Sequence, residues 1–117
     1  MSNFLKIVGF VLAALFVWAA AVQYNDPDAF RWYVLYGVAA LASVLFALGR
    51  LKFIWALFLF GFYLGFGIYN WPSQFEGVTI GEGDIVNIEK GREALGMIFS
   101  SVIMLFYALV IKRRPKW

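Results

Sequence analysis

Four long apolar segments separated by short polar ones dominate the pattern of this 117-residue chain. They cover residues 4–22, 32–49, 53–71 and 94–111, and only the first contains a charged residue, Lys6. Each approaches the roughly 20 residues that an α-helix needs to cross a hydrocarbon core about 30 Å thick. Lipid offers no hydrogen bonds to a backbone, so such segments are helices rather than strands. The pattern predicts an all-α, polytopic membrane protein built as a four-transmembrane-helix bundle.

Composition supports this fold class and leaves room for one domain. Hydrophobic residues make up 63% of the chain, and the mean hydropathy is +0.78. A soluble domain of this length could not bury so much apolar surface. We therefore expect a single transmembrane domain over residues 1–117. Its predicted helices lie at about 4–22, 28–49, 52–71 and 90–111, with an outer-face loop at about 72–88.

Charge is distributed unevenly between the two sides that such a bundle would have. Seven basic residues fall on the side of the termini and the second loop: Lys6, Arg50, Lys52, Lys112, Arg113, Arg114 and Lys116. All seven acidic residues fall on the other side, with three basic ones: Asp26, Asp28, Glu76, Glu82, Asp84, Glu89 and Glu93. Short loops rich in Lys and Arg stay in the cytoplasm. Both termini are thus predicted to be cytoplasmic, in a multi-pass protein of the cell membrane (the inner membrane if the source is bacterial).

The residue types present exclude several chemistries. The chain has no cysteine and no histidine, which removes disulfides, zinc sites, histidine-ligated haem and any Ser-His or Cys-His pair. No motif for a nucleophile or a cofactor accompanies the carboxylates. We expect a non-enzymatic protein without catalytic residues or cofactors. The basic cluster at the end of the chain is too short to predict nucleic-acid binding.

The first polar segment at the acidic face covers residues 23–28. Its candidate site residues are Gln23, Asn25, Asp26 and Asp28. Asp26 suits an N-cap, Pro27 suits the first helical position, and a carboxylate at 28 complements the helix dipole. This segment is predicted either to start the second helix or to supply polar groups to a site.

The second polar segment, residues 89–93, is predicted to start the fourth helix. Glu89, Arg92 and Glu93 share one helical stripe with Gly96. An ionisable group close to the lipid boundary should face protein or water and have a partner. We expect Arg92 to reach the Asn25–Asp28 turn, so that both segments form one polar cluster.

Small and aromatic residues predict how the helices pack and where they meet the interface. Gly61 and Gly65 form a small-xxx-small pair, and Gly96 is a further predicted packing position. Comparable small residues occur in the first two helices: Gly9, Ala13, Ala21, Ala39, Ser43 and Ala47. The rings expected to form an interfacial belt at the outer ends are those of Trp32, Tyr33, Tyr69 and Trp71.

Two strings together resemble a known family. Residues 23–28, Gln-Tyr-Asn-Asp-Pro-Asp, precede Trp32 and Tyr36, while residues 89–93 precede Gly96. In this order and spacing they are similar to the transmembrane protein 220 family. The resemblance covers almost the whole chain and implies a small four-helix membrane protein of unassigned activity. It also implies that the two segments belong to one functional or folding unit.

Three functions remain open on these observations. The first is a membrane module whose acidic outer-face site binds a ligand or a partner, or serves assembly; its partners would be the lipid bilayer and a second copy of the chain or another membrane protein. The second is a small dimeric transporter or channel. The third is binding of a hard cation, Ca²⁺ or Mg²⁺, by carboxylate oxygens, although no known calcium motif is present.

Overall fold

The computed structural model describes residues 2–25, 28–72 and 85–113. These residues form four helices: α1 (Asn3–Ala21), α2 (Ala29–Ala47), α3 (Phe53–Tyr69) and α4 (Ile85–Lys112). A single 3₁₀ turn, Val22–Asn25, extends α1. By length and apolar character α1, α2 and α4 can each span a membrane, whereas α3, with 17 residues, is a shorter apolar helix. The predicted all-α class and the four helices are confirmed; the orientation of the termini stays a prediction.

The boundaries of the helices differ from the predicted ones most at α4. This helix begins at Ile85, five residues before the predicted start at 90. The prediction started the helix within the charged segment 89–93, four residues before the apolar run at 94–111. However, Ile88 and Gly91 already lie at buried helical positions before that run. A polar segment with apolar residues at this spacing continues a helix beyond the bilayer core.

The described chain divides into two compact units, one ending at Lys52 and the other beginning at Phe53. The first is an antiparallel hairpin of α1 and α2. A Cβ placed on Gly9 would lie 2.9 Å from the Cβ of Ala47, so the helices approach closely because this residue has no side chain. Ala13, Ala39 and Ser43 are also buried, which confirms the predicted small-residue packing there, whereas Ala21 is exposed.

The second unit is an antiparallel hairpin of α3 and α4, and its close approach is at Gly67. A Cβ there would lie 2.8 Å from Ile98 Cγ1 and 3.1 Å from the carbonyl oxygen of Ala94. Gly61 and Gly65 are instead exposed on α3, with open space around them among the described residues. They do not form the contact between α3 and α4, because their side of the helix points away from α4. Any packing role for this pair stays a prediction.

Gly96 lies on α4 and is half-buried. Its carbonyl accepts a hydrogen bond of 2.9 Å from the hydroxyl of buried Ser100. Two other buried hydroxyls behave in the same way, since Ser43 donates to Ala39 and Ser101 to Ile98. These serines therefore satisfy their polar groups within their own helices, as is required in an apolar environment.

Backbone geometry fixes the end of α2. Gly49 has a φ of 73°, the left-handed conformation that favours glycine. Its N–H donates to the carbonyl of Phe46, and the N–H of Arg50 donates to that of Leu45. This pair of bonds is the Schellman motif, which satisfies the last carbonyls of a helix and stops it. The second helix therefore ends at Ala47 rather than at the predicted residue 49.

Candidate functional site

Gln23, in the first polar segment, serves its own helix end. Its side-chain amide donates a hydrogen bond of 3.0 Å to the carbonyl oxygen of Ala19, near the end of α1. The last carbonyls of a helix lack backbone partners, and this bond satisfies one of them. Asn70 does the same after α3, where its amide donates to Phe66 at 2.9 Å. The geometry therefore gives Gln23 a capping role in the described structure.

Asp28 is the residue immediately before α2, at the N-cap position. The prediction placed it in the first turn, but the helix begins one residue later and the side chain makes no capping hydrogen bond. The carboxylate instead lies 3.5 Å from the guanidinium of Arg31, and both side chains are substantially exposed. An exposed pair of this kind contributes at most about 1 kcal/mol. Asp28 thus remains accessible to solvent.

The other predicted members of this segment are described only in part. Asn25 is the last residue of the 3₁₀ turn, and its side chain is not among those described. Asp26 and Pro27 lie outside the described residues. The predicted capping roles of Asp26 and Pro27, and the predicted contact of Arg92 with this turn, stay predictions.

Trp32 does not join an interfacial belt. Its side chain is 1% exposed, and its ring centroid lies 6.2 Å from that of Tyr36, which is 6.4 Å from Phe16 on α1. The guanidinium carbon of Arg31 lies 4.9 Å from the Trp32 ring centroid, a cation–π distance. The belt prediction was wrong for Trp32, because this position faces the inside of the first unit. Its other members, Tyr33, Tyr69 and Trp71, are exposed as expected.

The second polar segment lies inside α4 rather than at its start. Glu89 and Arg92 are exposed, Glu93 is half-buried, and Gly91 between them is buried. Buried positions continue at Ala94 and beyond with helical spacing, so the segment has one packed face and one charged face. Arg92 and Glu93 each have an interaction partner.

The contact at Gly67 fixes the register of α4 against α3 and so shows which residues of α4 lie beyond the end of α3. Gly67 lies level with Ala94 and Ile98, and α3 ends two residues later at Tyr69. Residues 85–91 of α4 therefore continue past the end of α3, by about 10 Å at roughly 1.5 Å per residue. Glu89 lies on this extension, while Glu93, by the same register, lies near the level of Tyr69, the end of α3. The extension displays charge on a regular helix beyond the apolar part of the hairpin.

The described groups offer hydrogen bonding and charge but no assembled metal site. In the part of the chain that the structure describes, no three acidic side chains come together. Asp26, Glu76, Glu82 and Asp84 lie outside that part, so hard-cation binding stays a prediction. Carboxylate, guanidinium and ammonium groups at these positions can bind a charged or polar surface of a ligand or protein.

Sequence reasoning missed the length of α4 and the burial of Trp32. The signal for the first was present in the helical spacing of Ile85, Ile88 and Gly91 before the apolar run. The signal for the second was the spacing of Trp32 with Leu35 and Ala39, which places it on the buried stripe of α2.

Comparison with known protein families gives a match. A family model described as transmembrane family 220, helix, matches residues 15–109. The match covers most of the chain: the whole of α2 and α3, nearly all of α4 and the last part of α1. No solved structure matches the chain.

Proposed function

Because the chain belongs to transmembrane family 220, and is therefore a small multi-pass helical membrane protein, we propose that it acts as a non-enzymatic binding module. Its polar segments, residues 23–28 and 89–93, bind a ligand or a protein partner or serve in assembly. A second copy of the chain and another membrane protein are the candidate protein partners. The proposal includes the orientation expected from the basic residues, with both termini cytoplasmic and these segments on the outer face of the cell membrane.

The observation that carries the proposal is the extension of α4 past its partner helix. Glu89 and Lys90 are exposed on that extension and Arg92 is exposed directly after it, while Ile88 and Gly91 are buried. Packing of one face fixes the backbone, so the charged face is held in a defined arrangement before anything binds. Preorganisation of this kind lowers the entropic cost of binding.

The distribution of ionisable groups favours binding over transport. The apolar segments 32–49, 53–71 and 94–111 contain no Asp, Glu, Lys or Arg. Transport sites usually carry an ionisable residue within the membrane. Charge in this chain lies at the helix ends, where it can meet a partner from water or from the head-group layer. The transporter and channel alternatives stay predictions.

Site-specific photocrosslinking in native membranes tests the proposal. A photoreactive residue replaces Lys90 on the extension, and in a matched variant it replaces Lys112 at the opposite end of the same helix; both positions are exposed. We expect a discrete adduct at position 90 that is not formed at position 112, where contact with the head-group layer gives lipid adducts alone. Intact-mass spectrometry distinguishes a small-molecule adduct from a protein or a second copy of the chain.

Charge neutralisation then links the adduct to the proposed residues. Glu89→Gln combined with Arg92→Gln should reduce the yield at position 90 at least several-fold, since charge-assisted bonds are about twice as strong as neutral ones. No adduct at position 90, the same adduct at both positions, or a yield unchanged by neutralisation would count against the proposal.

A further inference from the structure

Basic and acidic residues separate to opposite ends of the first hairpin. The contact between Gly9 and Ala47 sets the register of α1 against α2. Lys6 and Arg50 each lie three residues from this contact in the direction of the same end, and both are exposed. Asp28, the described acidic residue of this unit, lies at the opposite end, before α2. Among the described residues, one end of the hairpin therefore presents basic groups and no acidic one.

The second hairpin is polarised in the same way. Lys112 lies in the last turn of α4 and Arg113 follows it, and both are exposed. The antiparallel register set at Gly67 places them beside the start of α3, more than four turns away from Glu93. Lys52, the last residue of the first unit, is exposed immediately before α3. We call Lys6, Arg50, Lys52, Lys112 and Arg113 the basic ends of the two hairpins.

The basic ends have no described carboxylate near them in their hairpin, whereas basic residues at the opposite ends do. Arg31 lies 3.5 Å from Asp28, so its charge is locally compensated. The acidic residues among those described are Asp28, Glu89 and Glu93, and all three belong to the other ends. Within each hairpin, the charge at the basic ends is therefore uncompensated by any described carboxylate, and it can be offset by an anion from outside.

The membrane supplies that anion at the same depth. Residues at the ends of a membrane-spanning helix lie in the head-group layer, where long Lys and Arg side chains extend toward phosphate. An Arg guanidinium can donate two parallel hydrogen bonds to a phosphate, and an ammonium group binds it as a point charge. We propose that the basic ends bind anionic phospholipid head groups and retain them in preference to zwitterionic ones. The proposal goes beyond the binding function above and depends on different residues.

Native mass spectrometry of the full chain tests this. The protein is purified in mild detergent and equilibrated with equimolar phosphatidylglycerol and phosphatidylcholine of the same acyl chains. We expect phosphatidylglycerol adducts to exceed phosphatidylcholine adducts. A basic residue near a membrane surface strengthens binding of anionic lipid by about fivefold. Arg50→Gln combined with Lys112→Gln, which removes one charge from each hairpin, should therefore lower the preference by on the order of tenfold or more.

The matched control removes one basic residue from the other end of each hairpin, as Arg31→Gln with Lys90→Gln. It changes net charge equally and should leave most of the preference in place. Equal retention of the two lipids by the unmodified protein, or equal losses in both double variants, would overturn the proposal.

The unmodified protein also gives a test that needs no variant. The preference for phosphatidylglycerol should fall when salt rises from about 0.1 M to about 1 M, because the screening length shortens from about 10 Å to about 3 Å. A preference independent of salt would contradict it as well.

Discussion

Two glycines, one in each hairpin, allow a close contact between helices. Gly9 leaves room for Ala47 in the first hairpin, and Gly67 leaves room for Ile98 in the second. Between membrane helices there is little hydrophobic driving force, so close van der Waals packing is a main source of stability. At both positions an added methyl group would meet a neighbour at 2.9 Å or less. Gly67 is the more restrictive, because the backbone oxygen of Ala94 and the backbone nitrogen of Ile98 also lie within 3.2 Å of its missing Cβ.

We expect Gly67→Ala to destabilise the protein in detergent by roughly 1–3 kcal/mol, the usual cost of overpacking. The backbone atoms of Ala94 and Ile98 cannot move aside without shifting α4. Gly65→Ala, on the same helix, meets open space among the described residues and should be neutral or should stabilise by up to about 1 kcal/mol, since alanine favours helix. Melting temperatures of both variants in one detergent check this.

The same comparison tests the predicted Gly61–Gly65 packing pair. If Gly65→Ala lowered the melting temperature while Gly67→Ala did not, the predicted pair would be the packing position and the contact at Gly67 would be unimportant. Because both changes are glycine to alanine in one helix, differences in helix propensity cancel.

At the scale of elements, the number and type of helices followed from the apolar segments, whereas their ends did not. Hydrophobicity indicates which residues of a helix lie in lipid. The helix itself ends where its backbone i→i−4 hydrogen bonds end, and that residue can lie outside the lipid. Gly49 stops α2 through a left-handed φ, and α4 starts at Ile85 in a segment with little net hydrophobicity. The candidate site itself stays a prediction, because its residues were chosen by type and spacing alone. The helical spacing of Glu89, Arg92 and Glu93 was correct, but their position inside a longer helix required the register with α3.

The end of α2 gives a prediction about backbone conformation alone. Gly49→Ala should destabilise by about 1–2 kcal/mol, because a Cβ at positive φ lies close to the following carbonyl oxygen. The matched control is Gly37→Ala in the interior of α2. Both glycines have open space around them among the described residues, but only Gly49 has a positive φ. Gly37→Ala should therefore leave the melting temperature unchanged or raise it.

A third variant separates conformation from other effects of the Gly49 change. Asn tolerates the left-handed region better than alanine does, so Gly49→Asn should lose less stability than Gly49→Ala. Equal losses for the two variants would indicate that the side chain, rather than φ, disturbs the turn.

At the scale of the whole molecule, the separation of basic from acidic residues is seen both in the sequence and in the structure of each hairpin. Each hairpin has a basic end and an end that contains its described acidic residues. Since α1, α2 and α4 are each long and apolar enough to cross a membrane, we expect the two ends of a hairpin at opposite surfaces. The basic ends meet lipid phosphate in the proposal above, and the other ends carry the polar segments proposed to bind a partner. Such polarity gives a multi-pass protein one preferred orientation, since basic residues resist translocation.

Orientation can be measured directly because the chain contains no cysteine, so a single introduced thiol is labelled uniquely. Val86→Cys lies at the exposed start of α4, and Arg50→Cys lies in the exposed turn after α2. A membrane-impermeant maleimide added to intact cells should label residue 86 and should reach residue 50 only after the membrane is permeabilised.

Arg50→Cys removes one of the basic residues that set orientation. Leu48→Cys, also exposed, therefore serves as the control that leaves the charge unchanged. Labelling of residue 48 but not 86 in intact cells would invert the topology. Equal labelling of both would show that the protein inserts in two orientations, which would favour the dimeric transporter or channel over the binding module.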